Sequence, residues 1–158
     1  MKITKINYKG ISLIETVVYL ALFAVVFTVI VSFFITVSNA NKGAKDKQQL
    51  EYVSLFVIKH LEQNLQSETI SSVTTDSIVF TGNGVSNNYV FSDRIQFNNG
   101  IQIIPVTPLF VSISNTILTS VKDKNNNIVG VEIDFRVNSI SDTSLHREVH
   151  LTILQSNL

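Results

Sequence analysis

The stretch Lys9–Val26, "KGISLIETVVYLALFAVV", sets a carboxylate, Glu15, at the mouth of an apolar run that continues to Val37. From Thr16 to Val37 the chain has no charge, no Pro and no Gly, and Val, Leu, Ile, Phe and Ala are broken only by Tyr19, Thr28, Ser32 and Thr36. Those 22 residues rise about 33 Å as a helix, close to the thickness of a bilayer's hydrocarbon core. The run therefore predicts a spanning segment. A charge beside hydrocarbon is costly and marks function by default, so Glu15 is the residue to account for.

Upstream, "MKITKINYKG" carries Lys2, Lys5 and Lys9 and no acid. A basic head before an apolar run is the pattern of a targeting segment. Downstream, "NANKGAKDKQQLEYVSLFVIKHLEQNLQS" repeats Leu50, Val53, Val57, Leu61 and Leu65 at steps of three and four, with Lys45, Asp46, Glu51, Lys59 and Glu62 in much of the remainder. That spacing predicts an amphipathic helix. Gly43 costs about 1 kcal/mol relative to Ala within a helix, yet the two segments can form one helix from about Ile11 to Gln66.

After Ser67 the period changes from that of a helix to two. The runs "SIVFTG", "NYVFS", "RIQF", "IQIIPV", "NIVGVEIDFRV" and "REVHLTIL" alternate with the turn-rich pieces "TGNG", "SNN", "NNG" and "KDKNNN", the pattern of successive antiparallel strands. In "VGVEIDFRV", Val129, Val131, Ile133, Phe135 and Val137 share one face, and Glu132, Asp134 and Arg136 the other. A sheet with one polar face must cover its apolar face, and the helix at 44–66 is the available cover. The expected fold class is α+β: a long N-terminal helix, membrane half plus amphipathic half, packed on an antiparallel β-sheet spanning 69–155.

The N-terminal residues resemble those of the type IV pilin-like proteins: pilins, minor pilins and pseudopilins. That family has a short basic leader ending in Gly, a cut, a hydrophobic residue, Ser or Thr, Leu, a hydrophobic residue and Glu. Here Gly10, Ile11, Ser12, Leu13, Ile14 and Glu15 stand in those places, and the likeness covers about 30 residues. Beyond them only the layout of helix tail plus strands agrees. The resemblance implies a leader at 1–10, a transmembrane or filament-core helix at 11–40 and a globular pilin-like domain at 41–158. It implies that a prepilin peptidase cuts between Gly10 and Ile11, that the new Ile11 amine is N-methylated, and that Glu15 pairs with the amine of a neighbouring subunit during assembly. The implied partners are prepilin peptidase, other pilin subunits in a hetero-oligomeric filament, an inner-membrane assembly platform, and membrane lipid before assembly. The implied location is the cytoplasmic membrane, crossed once with the C-terminal domain outside, and then a cell-surface filament. Major pilins usually start the mature chain with Phe and many carry a Pro in the apolar helix or a C-terminal disulfide loop. This chain has Ile11, no Pro before Pro105 and no Cys, which points to a minor pilin or pseudopilin.

Simple physics bears on Glu15 as well. After such a cut, the charges at this end are the Ile11 amine and Glu15, four residues and about 6 Å of helix rise apart. A neighbour displaced by that rise could align its amine with this carboxylate, and pairing two charges that are each costly in an apolar core would set the register.

Other readings compete. A single-span anchor bearing an extracytoplasmic binding or sensor domain would place Glu15 at the membrane edge without polymerising. "VSNANK" offers Ser38 and Ala40 to an ordinary signal peptidase, but the apolar core is longer than the 7–15 residues typical of such signals. Orientation from charge stays open, since Lys42, Lys45 and Lys47 flank the far end as the leader lysines flank the near end.

Twelve basic residues balance twelve acidic ones, so no general polyanion-binding surface is implied. Loss of Lys2, Lys5 and Lys9 would leave nine against twelve, and nucleic acid as a partner stays open through a local patch alone. The absence of Cys excludes disulfides and thiolate metal sites but leaves the compartment undecided. Asp123, Asn125, Asn127 and Asp134 echo a calcium loop, yet Ile128 stands where the turn glycine belongs, and a hairpin turn is the better reading. His146 and His150 fall on one strand face about 13 Å apart, too far to share a metal. His60 reads as a helix-surface or helix–sheet contact. No nucleophile elbow, phosphate loop, zinc spacing or dinucleotide fingerprint is present in the sequence. No catalytic residue, metal or cofactor is therefore expected.

Overall fold

The computed structural model describes residues 12–82 and 84–156. One helix, α1, runs Leu13–Leu65, and eight strands follow. The chain divides into two units between Gly43 and Ala44.

In the first unit the carbonyl of Ser12 accepts the first helical N–H, from Thr16, at 3.1 Å. The helix there is long and apolar enough to cross a membrane, and the side chains from Ser12 to Val37 are exposed. Two of its threonine hydroxyls turn inward to the backbone: Thr28 donates to the Ala24 carbonyl at 2.8 Å and Thr36 to that of Ser32 at 2.9 Å. A hydroxyl paired within its own helix costs little in hydrocarbon, where an unmet donor costs several kcal/mol. The coarse layout is that of a single-span segment followed by a C-terminal domain.

In the second unit the remainder of α1 buries Leu50, Val53, Val57, Leu61 and Leu65, the five positions set out by the sequence periodicity. They join one apolar cluster with residues of both sheets. The first sheet is an antiparallel meander of β1 (Thr69–Val73), β2 (Ser77–Gly82), β3 (Val85–Phe91), β4 (Ile95–Asn98) and β5 (Ile103–Pro105). The second contains β6 (Val111–Lys122), β7 (Ile128–Ser139) and β8 (His146–Leu154), in that order. Phe80, Tyr89, Ile95 and Ile133 are fully enclosed.

The layout is α+β, as expected, but the expected single sheet is two. The break falls between β5 and β6. Pro105 and Pro108 lack the N–H that would extend a ladder, and the Thr107 hydroxyl accepts the Ile95 N–H at 3.1 Å in place of a strand carbonyl. Strands β1 and β6 also appear where the period-two reading picked out no run. In β6 the ladder register shifts between Ser114 and Ile117, around Asn115 at φ 52°. Val111 and Ile113 are buried before that bulge, whereas after it Leu118 packs on the core and Ile117 is exposed. A bulge that flips the inward phase hides a strand from any alternation count. The piece "SNN", expected as a turn, lies inside β3.

Candidate functional site

Glu15 is the third residue of α1, in the turn whose backbone N–H groups lack helical acceptors. A carboxylate there is favoured by the helix dipole. It is exposed, and it accepts one hydrogen bond, from the Tyr19 hydroxyl at 3.3 Å one turn along. A carboxylate offers about four lone-pair sites, so most of its capacity faces outward. Gly10 and Ile11, the expected cleavage and methylation positions, lie outside the described residues. Around Glu15 the exposed side chains Leu13, Ile14, Val17 and Val18 make an apolar surface with this one carboxylate in it.

In the second unit, His60 is a helix–sheet contact. Its Nδ1 lies 2.7 Å from the Tyr89 hydroxyl on β3, and the Asn64 amide donates to the same hydroxyl at 3.0 Å and to the His60 carbonyl at 2.8 Å. Phe97 meets the imidazole edge-on, with centroids 6.0 Å apart. Burial lowers the His60 pKa from its ordinary value, and burial is also the main cause that raises Tyr89.

The segment Asp123–Asn127 forms the β6–β7 hairpin turn. Asp123 Oδ1 accepts the N–H groups of Asn125 and Asn127, each at 2.8 Å, and Asn126 sits at φ 67°. Those hydrogen bonds, that of Asn127 first, pull the Asp123 carboxyl below its usual range. Asp134, the last residue of the calcium-loop echo, belongs instead to β7.

His146 and His150 both lie on the exposed face of β8, as expected, while Val149, Leu151 and Ile153 point into the core. Their partners are across the sheet. His150 stands opposite Asp134 of β7, and the imidazole bonds that carboxylate through Nδ1. Its Nε2 lies 3.5 Å from Glu132. The bond to Asp134, then the charges of Asp134 and Glu132, raise the imidazole above its ordinary pKa. Glu148 is held by Arg136 at 2.6 Å. Spacing along one strand could not reveal the grouping of Glu132, Asp134 and His150, because it depends on the β7–β8 register.

An open apolar hollow of about 580 Å³ lies between the helix tail and the 105–110 segment. Tyr52, Phe56, Leu109 and Phe110 line it and are exposed, with Arg94 at its edge.

No family model, curated protein or solved structure matches the chain.

Proposed function

We propose that the chain is a precursor whose mature form is a minor pilin or pseudopilin, a structural subunit of a type IV pilus-like filament. The observation that carries this reading is the run Gly10, Ile11, Ser12, Leu13, Ile14, Glu15 leading directly into a helix that is uncharged from Thr16 to Val37. Prepilin peptidase removes residues 1–10 and the Ile11 amine is methylated. The apolar helix holds the subunit in the cytoplasmic membrane, with the C-terminal domain outside, until the assembly platform extracts it into a hetero-oligomeric filament. There Glu15 meets the amine of a neighbour. The acceptor capacity that Glu15 keeps beyond its bond to Tyr19 supports such a pairing, as does the lack of any other charge between Ser12 and Asn41.

The test begins with mass spectrometry of the N-terminal peptide from membranes and from sheared surface material. A methylated Ile11 start is expected, and a Met1 or Asn41 start overturns the reading. Glu15→Gln should leave cleavage and insertion intact and reduce incorporation into filaments. Wild-type amounts of that variant in sheared filaments would sink the assembly role.

One observation favours the runner-up, a single-span anchor carrying a non-polymerising extracytoplasmic binding domain. Glu15 already has a local partner in Tyr19 and a favourable place at a helix start. That reading expects an uncleaved N-terminus and indifference to Glu15→Gln.

A further inference from the structure

The outer face of the three-stranded sheet places three metal-ligating side chains together. Glu132 and Asp134 are two residues apart on β7 and so share its exposed face. The β7–β8 register sets His150 directly opposite Asp134. One ligand atom from each of the three lies within 4.8 Å of the others.

Among the described residues no Lys or Arg side chain pairs with either of the two carboxylates. Their partners on β6 are Thr119, opposite Glu132, and Ile117, opposite Asp134. The β8 residue opposite Glu132 is Thr152. Arg136, the next residue on the same face of β7, is committed to Glu148 at 2.6 Å. The imidazole lies between the two acids, with Nδ1 bonded to Asp134 and Nε2 3.5 Å from Glu132.

We propose that Glu132, Asp134 and His150 form a surface site for a divalent transition-metal ion, with zinc as the ion that fits. One imidazole nitrogen and two carboxylate oxygens are ligands that zinc accepts, and three protein ligands leave a fourth position for water or an incoming group. A nitrogen ligand disfavours calcium and magnesium, which take oxygen sets. Thr119 and Thr152 stand opposite Glu132 on the two neighbouring strands and add hydroxyls beside the site. The ion replaces the bridge that His150 makes between the two acids, so the loaded site keeps β7 and β8 tied at this register. This site is independent of the filament reading.

The experiment is a zinc titration of the full chain in detergent micelles, followed by calorimetry and by competition with a chromophoric zinc indicator. One saturable zinc per chain is expected. His150→Gln, Glu132→Gln and Asp134→Asn should each weaken it at least about tenfold, while His146→Gln, on the same face but outside the cluster, should not. Circular dichroism of each variant separates loss of the site from loss of the fold. Because His150 is exposed and the two acids are half-buried on the outer face of the sheet, melting within a few degrees of the parent is expected. No saturable binding to the parent, or an equal loss in His146→Gln, overturns the proposal.

Discussion

The Tyr89 hydroxyl and Nδ1 of His60 lie 2.7 Å apart, and the contact ties the helix tail to the middle strand of the five-stranded sheet. Asn64 donates to the same oxygen, and the hydroxyl itself also donates to the His60 carbonyl at 3.4 Å. Tyr89→Phe keeps the ring and removes the acceptor of one amide and the partner of one imidazole nitrogen. Leaving buried polar groups short of a partner costs about 1–3 kcal/mol each. Asn64 retains the His60 carbonyl, so a loss toward the lower end of that range is expected in urea unfolding.

The same imidazole gives the domain a pH dependence with a definite sign. Burial lowers the His60 pKa in the folded state relative to about 6.5 in the unfolded chain. Between those two values the unfolded state binds more protons, so stability rises with pH. Stability should therefore be undiminished by His60 above about pH 6.5 and decline as pH falls below it. The difference between parent and His60→Gln in urea midpoint, followed from pH 7.5 to 5, isolates this term from the opposite influence of His150.

Leu61 and Leu55 test the register of the helix tail. Leu61 is fully buried, and Leu55, six residues earlier, is 58% exposed. Leu61→Ala should cost about 2–5 kcal/mol through lost transfer energy and an unfilled cavity. Leu55→Ala should stay within about 0.5 kcal/mol. Chemical unfolding followed by near-ultraviolet circular dichroism reads both, and similar losses would mean that the buried stripe is misplaced.

Two glycines make unequal forecasts for the same substitution. A Cβ at Gly130 would sit 2.4 Å from the Ile153 carbonyl oxygen, a backbone atom of the paired strand. One at Gly82 would meet the carboxylate of Glu68, the free end of a flexible side chain. Glu68 Oε2 is buried without a hydrogen-bond partner, so displacing it toward water carries a compensation. Gly130→Ala should destabilise by about 1–3 kcal/mol, as overpacking does, and Gly82→Ala by much less. Thermal melts of the two variants side by side decide the order.

Legibility of the fold followed the range of the interaction. The helix face Leu50, Val53, Val57, Leu61 and Leu65 could be read because its spacing repeats within a single element, and the same holds for Val131, Ile133, Phe135 and Val137 on β7. Strand β2 falls on the residues that alternation marked. What escaped depends on relations between elements. The shifted register at Asn115 masked β6, and the Pro105–Pro108 exit divided one expected sheet into two. Arg147 occupies an inward phase of β8 that a pattern of apolar residues would exclude, and it is accommodated by Glu51 of the helix tail at 3.2 Å. In the candidate site, Glu15 stood out through local contrast with its apolar neighbours. The grouping of His150 with Glu132 and Asp134 needed the pairing of two strands before it existed at all.

Residues that follow the last strand close onto those that precede the first. The Ser156 N–H and hydroxyl both donate to the Gln66 carbonyl at 3.1 Å, and the Gln155 amide donates to the Glu68 carbonyl at 2.8 Å. A clasp of this kind imposes a timetable on synthesis. At about 5–20 residues per second, the stretch from Thr16 to Val37 leaves the ribosome several seconds before β8 exists. The apolar segment must therefore find its surroundings while the domain behind it is still an open chain. Retention in the lipid and completion of the fold are consecutive events, and a ribosome stalled before β8 would leave an inserted chain whose β7 still lacks its partner strand.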